Sequence, residues 1–146
     1  MPSISRKALS AIEALVYIAC KPGTEPVCSK EVSEYQGVAV RYLEPIMQEL
    51  VHKKILRGVR GPKGGYLLAR ERKKINLQEI VHVVESFETK KKAGASELFK
   101  HVVSPIWKEA NKETLSRLEH LTIQDLCDKA REFSVFSGVK KSDFTI

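Results

Sequence analysis

The sequence has 146 residues, 42% of them hydrophobic, with 25 basic and 18 acidic side chains and a formal net charge of +7. This composition is typical of one folded domain and excludes disordered, collagen-like and coiled-coil array chains. The longest uncharged apolar run near the N-terminus covers residues 14–20, which is too short for a signal segment or a membrane span. We therefore expect a cytoplasmic protein with no membrane partner.

The excess positive charge is confined to residues 41–74. This segment holds ten basic and three acidic side chains, whereas the two signs balance before it and after it. A solvated basic face is one interpretation of such a run. Because clustered lysine and arginine side chains bind polyanions by releasing counterions, the concentration of charge favours a nucleic-acid partner.

Two helices are predicted at the start of the chain. Apolar residues recur at spacings of three and four from Ser5 to Cys20, which predicts an amphipathic helix. A second, short helix is expected from Ser29, acting as its N-cap, to Gln36. Gly37 then supplies a turn.

A third helix is expected over residues 39–54. Its predicted buried stripe comprises Leu43, Ile46, Met47, Leu50 and Val51, and its opposite face carries Arg41, Glu44, Gln48 and His52. Pro45 is expected near an irregular first turn, because proline cannot donate to the preceding turn. A short helix, a glycine turn and a longer helix with a polar outer face are typical of a helix-turn-helix.

The outer face of the third helix carries side chains that can read bases. Arg41 can donate twice to guanine, Gln48 can pair with adenine, and Glu44 can accept from cytosine. Contact with phosphates or with solvent alone is the alternative.

A β-hairpin is predicted directly after the third helix. Residues 55–59 and 66–69 are typical of two short strands, and residues 60–65 form a Gly/Pro loop. A hairpin in this place is typical of a wing, with Arg60 and Lys63 at a tip that contacts DNA. A turn with no partner is an alternative; a nucleotide-binding loop would need a G-x-x-x-x-G-K-[ST] spacing that is absent.

The rest of the chain is expected to be helical apart from one loop and a tail. A helix over residues 75–87 begins with Asn76 and Glu79 in the pattern of a capping box. A loop is expected over 88–103, and a long helix from Ser104, with Pro105 at its first position, to about residue 120. A short helix capped by Thr122 follows, and residues 134–146 are expected to form a tail.

The long helix carries an apolar stripe, which consists of Trp107, Ala110, Leu115 and Leu118. The stripe could complete the core of one chain. Pairing with a second copy is the favoured interpretation, since one helix-turn-helix module reads only a half-site.

The three cysteines, Cys20, Cys28 and Cys127, contain no C-x-x-C pair, so we expect free reduced thiols rather than a disulfide framework or a zinc site. Cys28 precedes the second helix, where backbone amides could lower a thiol pKa, and it is a candidate redox thiol; packing is the alternative. Cys20 and Cys127 are expected to be packing residues.

Four parts of the sequence resemble one known family. They are Tyr42-Leu43-Glu44, the stretch from Ile55 to Tyr66 with its Arg-Gly-Pro-x-Gly-Gly-Tyr run, residues 75–85, and Leu121-Thr122-Ile123-x-Asp125-Leu126. Together they are similar to IscR/NsrR/CymR-type bacterial winged-helix regulators.

The resemblance implies a homodimeric transcription factor with a recognition helix in the major groove and Arg60 in the minor groove. Tyr42 and Glu44 match recognition-helix positions of the family, whereas Arg41 replaces a small polar residue. Ser29, Lys63 and Gly64 complete the predicted DNA-binding set.

Many members of that family hold an iron–sulfur cluster through three cysteines and one further ligand in the loop before the long helix. The present sequence has no cysteine between Cys28 and Cys127, so we expect neither a cluster nor another cofactor. His101 lies about where one cluster cysteine would be and is expected to be solvated, with no metal bound.

These patterns together predict a mainly α fold with a small β-wing, and a winged helix-turn-helix followed by a long C-terminal dimerisation helix. The expected units are residues 1–87 for DNA binding, 88–103 for the loop, 104–133 for dimerisation and return to the core, and 134–146 for the tail.

The expected function is that of a sequence-specific transcriptional regulator, a repressor bound as a homodimer to a palindromic duplex, with an unknown effector. A winged-helix module that binds RNA or a protein is the alternative. No nucleophile–base pair or nucleotide motif indicates an enzyme.

Overall fold

The computed structural model describes residues 4–91 and 96–133, and these parts consist of helices and one two-stranded hairpin. The elements are α1 (Arg6–Cys20), α2 (Ser29–Gln36), α3 (Val40–His52), β1 (Leu56–Val59), β2 (Gly65–Leu68), a 3₁₀ turn (Arg72–Lys74), α4 (Leu77–Lys91), a π-helical turn (Phe99–Val103), α5 (Ser104–Leu118) and α6 (Ile123–Glu132). The predicted fold class, mainly α with a β-wing, is confirmed. The predicted tail, 134–146, lies outside the described residues.

The ends of α1 and α2 show which predicted caps form. The Ser5 side chain accepts a hydrogen bond from the backbone N–H of Ala8 at 3.1 Å, so α1 begins as predicted. Gly37, at φ 73°, ends α2 in the left-handed conformation that glycine tolerates best. The predicted N-cap of α2 is wrong by one residue: Cys28 occupies that position, and Ser29 is the first helical residue.

Helix α3 buries the predicted stripe against the core. Leu43, Ile46, Met47 and Leu50 are at most 2% exposed. Pro45 lies inside the helix, at its sixth residue, rather than in the first turn. The first turn is nevertheless irregular, since the N–H of Tyr42 bonds to the carbonyl of Ala39, three residues back.

The hairpin is antiparallel, and its register pairs Leu56 with Leu68 and Val59 with Gly65. The segment before α2 pairs with the edge of β2 that faces away from β1, because Val27 and Tyr66 exchange backbone hydrogen bonds of 3.0 and 2.8 Å. A Cβ on Gly65 would stand 2.5 Å from the Val27 carbonyl, so only glycine permits this approach. The wing is therefore fixed to the start of the helix-turn-helix.

One core joins α1, α3, α4 and α6. Its largest fully buried side chains are almost all aliphatic: Leu15, Val27, Val32, Leu43, Met47, Leu50, Ile55, Leu56, Ile75, Ile80 and Ile123, with Cys127 among them. Burial of each such leucine or isoleucine contributes about 2–3 kcal/mol relative to exposure.

In the segment expected as a loop, 88–103, residues 88–91 and 97–103 are helical, and the prediction is wrong there; residue 96 is not helical. Helix α4 continues to Lys91, and helical structure resumes at residue 97 and runs without a break into α5; residues 92–95 lie outside the described residues. Ser104 is consequently not an N-cap. Pro105 lacks an N–H and would crowd the preceding turn, and the wider π-turn directly before it accommodates that conflict.

The C-terminal helices return to the core through α6. Thr122 and Asp125 form the capping box of α6. The N–H of Ile123 donates to the carbonyl of Ile75, and the N–H of Leu77 donates to that of Leu121, both at 2.9 Å. These bonds fasten the α5–α6 corner to the start of α4.

Within residues 4–91 and 96–133, none of the helices combines the length and apolar character that crossing a membrane requires.

Candidate nucleic-acid interface

The outer face of α3 carries polar side chains that differ in their exposure to solvent. Arg41 and Gln48 are exposed, whereas Tyr42 and Glu44 are half-buried. The ammonium group of Lys7 lies 5.8 Å from the centre of the Tyr42 ring, within the range of a cation–π contact. Glu44 and Gln48, two of the residues predicted from helical spacing to share a face, lie within 3.3 Å of each other.

Glu44 is held by a network of hydrogen bonds. The Tyr66 hydroxyl donates to its Oε1 at 2.7 Å, and the Gln48 amide lies 3.3 Å from the same oxygen and 2.8 Å from the Tyr66 hydroxyl. The Ser29 hydroxyl lies close enough to the carboxylate to help lower its pKa. Burial acts to raise the pKa of Glu44, but these hydrogen bonds outweigh burial and lower it. Glu44 is thus a fixed, ionised acceptor.

Tyr66 is the functional residue that sequence reasoning missed. It was predicted as a strand residue, but its role depends on how the hairpin packs against α3, and the local sequence carries no signal of that packing. Burial, followed by its bond to Glu44, raises the pKa of Tyr66 well above its usual value. Its hydroxyl therefore remains a proton donor that holds the wing against the outer face of α3.

The wing tip is a tight turn with exposed basic side chains. Arg60 and Lys63 are exposed on either side of Gly61, which has φ 112°. The N–H of Gly64 donates to the carbonyl of Gly61 at 2.9 Å, and a Cβ on Gly64 would stand 2.2 Å from the carbonyl oxygen of Val59. Gly64 therefore closes the turn, which gives this predicted DNA-binding position a structural role.

Two of the ten basic side chains of residues 41–74 serve the fold. Arg70 binds the Glu79 carboxylate through two nitrogens, at 2.5 and 3.0 Å, and the positive charge of Arg72 acts on the neighbouring Cys127, whose pKa it lowers. Asn76 caps α4 through the N–H of Glu79. The basic side chains of the segment that are exposed are Arg41, Lys53, Lys54, Arg57, Arg60, Lys63, Lys73 and Lys74.

The predicted dimerisation stripe divides into two parts. Trp107 is 53% exposed and Ala110 is also exposed, whereas Leu115 and Leu118 are half-buried and pack against the chain's own core. Further exposed apolar side chains lie before Trp107, namely Leu98, Val102, Val103 and Ile106, at 45–66% exposure. The exposed apolar face of residues 98–107 is called the α5 patch below.

The remaining predicted residues are placed as follows. Cys28 is exposed at the N-cap of α2, without a capping hydrogen bond from its side chain. His101 is exposed and lies 2.9 Å from the carboxylate of Glu97. Among the residues that the structure describes, no three His, Cys, Asp or Glu side chains are grouped so as to hold a metal ion.

The residues present do not fit the iron–sulfur cluster that the family resemblance implies. The chain between α4 and α5 contains no cysteine. Cys20, at the end of α1, and Cys127, in the middle of α6, are neighbours that shift each other's pKa, and the positive charge of Arg72 acts on Cys127. Two thiols cannot supply the four protein ligands that an iron–sulfur cluster needs.

Comparisons with known proteins place the chain in a family. Residues 4–129 match the Rrf2 family, described as "Iron-dependent Transcriptional regulator". The regulator IscR of Enterobacter sp. (strain 638), named an HTH-type transcriptional regulator, is 28% identical over 146 residues, covering 97% of this chain and 89% of its own.

Two solved structures support the same assignment. IscR of T. potens has a TM-score of 0.68 and 29% identity, with 89% of each chain covered. CymR of B. subtilis, the global cysteine regulator, has a TM-score of 0.65 and 25% identity, with 88% of this chain and 98% of its own covered. The chain therefore belongs to the Rrf2 family and is a DNA-binding transcription regulator.

Proposed function

We propose that this regulator binds a pseudo-palindromic duplex operator as a homodimer and acts as a repressor, with α3 in the major groove and the wing tip in the minor groove. The observation that carries the proposal is the bonding of Tyr66, from the wing, to Glu44 and Gln48 on the outer face of α3. These bonds keep the two DNA-contacting elements together on one side of the molecule.

Base recognition is assigned to three side chains of α3. Arg41 is exposed and can donate twice to guanine, and Gln48 can pair with adenine. The ionised Glu44 can accept from the cytosine amine, and its lowered pKa supports that role at neutral pH. The exposed Arg60 enters a narrow minor groove, where the negative potential is strongest.

Dimerisation is assigned to the α5 patch. Five large apolar side chains exposed along one run of helix form the kind of surface that marks an interface. A two-fold axis through this patch would present two recognition helices to half-sites about 34 Å apart, one turn of duplex. Leu115 and Leu118 position the interface, since they fix α5 to the core.

Regulation is proposed to proceed without an iron–sulfur cluster, because the cysteines do not fit one. Anaerobically purified protein should be colourless and should bind its operator without iron. Stoichiometric iron and acid-labile sulfide in that preparation would contradict the proposal. A cytoplasmic location follows from the need to reach chromosomal DNA.

The central experiment is selection of genomic fragments by the purified chain. Bound fragments should share a pseudo-palindrome, and this duplex should be preferred over random DNA by about 10³-fold or more at physiological salt. In vitro transcription from a promoter that overlaps the site should fall when the chain is added. Equal affinity for all duplexes together with tighter binding of RNA, or of a protein partner, would contradict the proposal and favour the alternative.

A further inference from the structure

Two cysteines that are far apart in the sequence meet in the fold. Cys20 is the last residue of α1, Cys127 lies in α6, and these helices pack against each other. The two thiols are neighbours close enough for each to shift the pKa of the other. Cys127 is 1% exposed, whereas Cys20 is only half-buried at the edge of the core. The pair therefore consists of one accessible and one buried thiol on two helices that pack together.

A guanidinium group completes the site. Arg72, in the 3₁₀ turn that follows β2, lies close enough to Cys127 for its positive charge to favour the thiolate. The interaction with Cys20, followed by that with Arg72, lowers the pKa of Cys127 to about 7 against the effect of burial. The interaction with Cys127, followed by burial, raises the pKa of Cys20. Cys127 is therefore the more acidic thiol of the pair and Cys20 the one that keeps its proton, and oxidation to a disulfide needs one thiolate.

We propose that Cys20 and Cys127 are a redox-active pair, which a hydroperoxide converts into an intramolecular disulfide, and that this disulfide lowers the affinity for operator DNA. The effect on DNA rests on the proposed function, whereas the thiol chemistry does not.

The oxidation balances in three transfers. The proton of Cys20 passes to the neighbouring Cys127 thiolate, and the Cys20 thiolate so formed attacks one peroxide oxygen. The O–O bond breaks, Cys20 becomes a sulfenic acid, and the departing alkoxide or hydroxide takes the proton from Cys127. The Cys127 thiolate then attacks the Cys20 sulfur and expels hydroxide. The two sulfurs lose two electrons, and the peroxide is reduced to an alcohol, or to water, and hydroxide.

The pair adjoins contacts that position the DNA-binding elements. The ammonium of Lys21, directly after Cys20, lies 2.6 Å from the carboxylate of Glu31 in α2, and the Tyr17 hydroxyl donates to that carboxylate at 2.7 Å. A disulfide is about 2.05 Å long, shorter than any hydrogen bond between thiols, so its formation draws α6 toward the end of α1. Oxidation also removes the negative charge of Cys127 that attracts Arg72, in the 3₁₀ turn that follows β2. Both changes disturb the placement of α2 and the wing.

The experiment uses the full chain with Cys28→Ser, which removes the third thiol and keeps the pair. One equivalent of hydrogen peroxide should remove the mass of two hydrogens and yield a single cross-linked peptide that contains Cys20 and Cys127. Operator affinity should fall about tenfold, within the usual range of coupling between two sites, and recover with dithiothreitol. Cys20→Ser in the same background should fold and bind the operator, and its affinity should not change on peroxide treatment. Cys127→Ser, which removes the other sulfur of the pair, should likewise form no disulfide.

Three results would count against the proposal. Two free thiols after peroxide treatment would overturn the redox-active pair. A disulfide that leaves operator affinity unchanged would overturn its regulatory effect. A peroxide response that survives in Cys20→Ser would assign the chemistry elsewhere. Because the mass change needs no DNA, a chain that forms the disulfide yet binds no duplex would contradict the proposed function and support the pair.

Discussion

Arg41 is the side chain best placed for a base-specific contact. It is exposed at the second residue of α3 and belongs to no ion pair among those found in the described parts of the chain. Arg41→Ala should relax the preference at one base position in each half-site, with a loss of about 1–3 kcal/mol for the preferred base. Binding to a set of duplexes in which each position is varied would measure this.

A matched variant separates base contact from general charge. Lys112 is exposed on α5, outside the helix-turn-helix and the wing, and Lys112→Ala should leave both affinity and specificity unchanged. If Arg41→Ala weakens binding equally on every sequence and makes the salt dependence shallower, Arg41 contacts the phosphate backbone instead.

The Tyr66 hydroxyl is expected to stabilise the fold as well as the interface. Tyr66→Phe removes its hydrogen bonds to Glu44 and Gln48 with little change in shape, and the free energy of unfolding should fall by about 1 kcal/mol at neutral pH. The pKa of Glu44 is lowered in the fold. Stabilisation linked to its ionisation is therefore present above the unfolded-state pKa and is lost as the pH falls through the folded-state value.

Urea unfolding of wild type and Tyr66→Phe at neutral pH and at about pH 3 would test this linkage. The difference between the two proteins should shrink as the pH falls through the folded-state pKa of Glu44 and the carboxylate gains a proton. Leu67→Ala, in the same strand, supplies a control whose effect should not depend on this titration. A difference that is constant with pH would show that the Tyr66 hydroxyl does not act through the Glu44 carboxylate.

Helical periodicity predicted which side chains share a face, but not which partners they meet. Arg41, Glu44 and Gln48 follow from the spacing of 3.6 residues per turn. The contact of Tyr66 with Glu44 depends on the packing of the hairpin, and that of Cys20 with Cys127 on the packing of α1 against α6. Such contacts join residues that are distant in sequence, so local patterns do not reveal them.

The wing is expected to act as a unit whose contact with DNA depends on Arg60. The turn is rigid, since Gly64 bonds to Gly61 and β2 is paired on both edges. Arg60→Ala should weaken operator binding by about 1–3 kcal/mol and leave the dimer intact. Titration of the operator, together with sedimentation of the free protein, would measure both effects. If Arg60→Ala and the Lys112→Ala control both bind the operator with wild-type affinity, the wing does not reach the DNA.

The sequence predicted element boundaries correctly where capping residues and apolar periodicity agreed. The prediction failed where the local composition opposed the periodicity. The Lys90–Lys92 run and Gly94 favoured a loop, and Ser104-Pro105 is typical of a helix start. The apolar residues Leu98, Val102 and Ile106 nevertheless repeat every four positions. That repeat was the available signal for the helical structure that precedes α5.

For the whole molecule, dimerisation is expected to depend on the α5 patch rather than on the predicted leucines. Ile106 is 66% exposed, so Ile106→Glu should leave the chain folded, with wild-type helical content, but monomeric at micromolar concentration. Tight operator binding should be lost, because a monomer contacts only one half-site. Sedimentation and operator titration of the same sample would measure both losses.

Leu118→Glu distinguishes the interface from the core. Leu118 is half-buried against the chain's own core, so a glutamate there places a charge among apolar neighbours and should lower the free energy of unfolding by about 1–3 kcal/mol. Lys112→Glu, on the same helix, should remain folded, dimeric and operator-specific. If Ile106→Glu still sediments as a dimer, the α5 patch is not the interface. If the wild type is monomeric and yet operator-specific, the α5 patch is not an interface, and the two half-sites are not bound by one dimer.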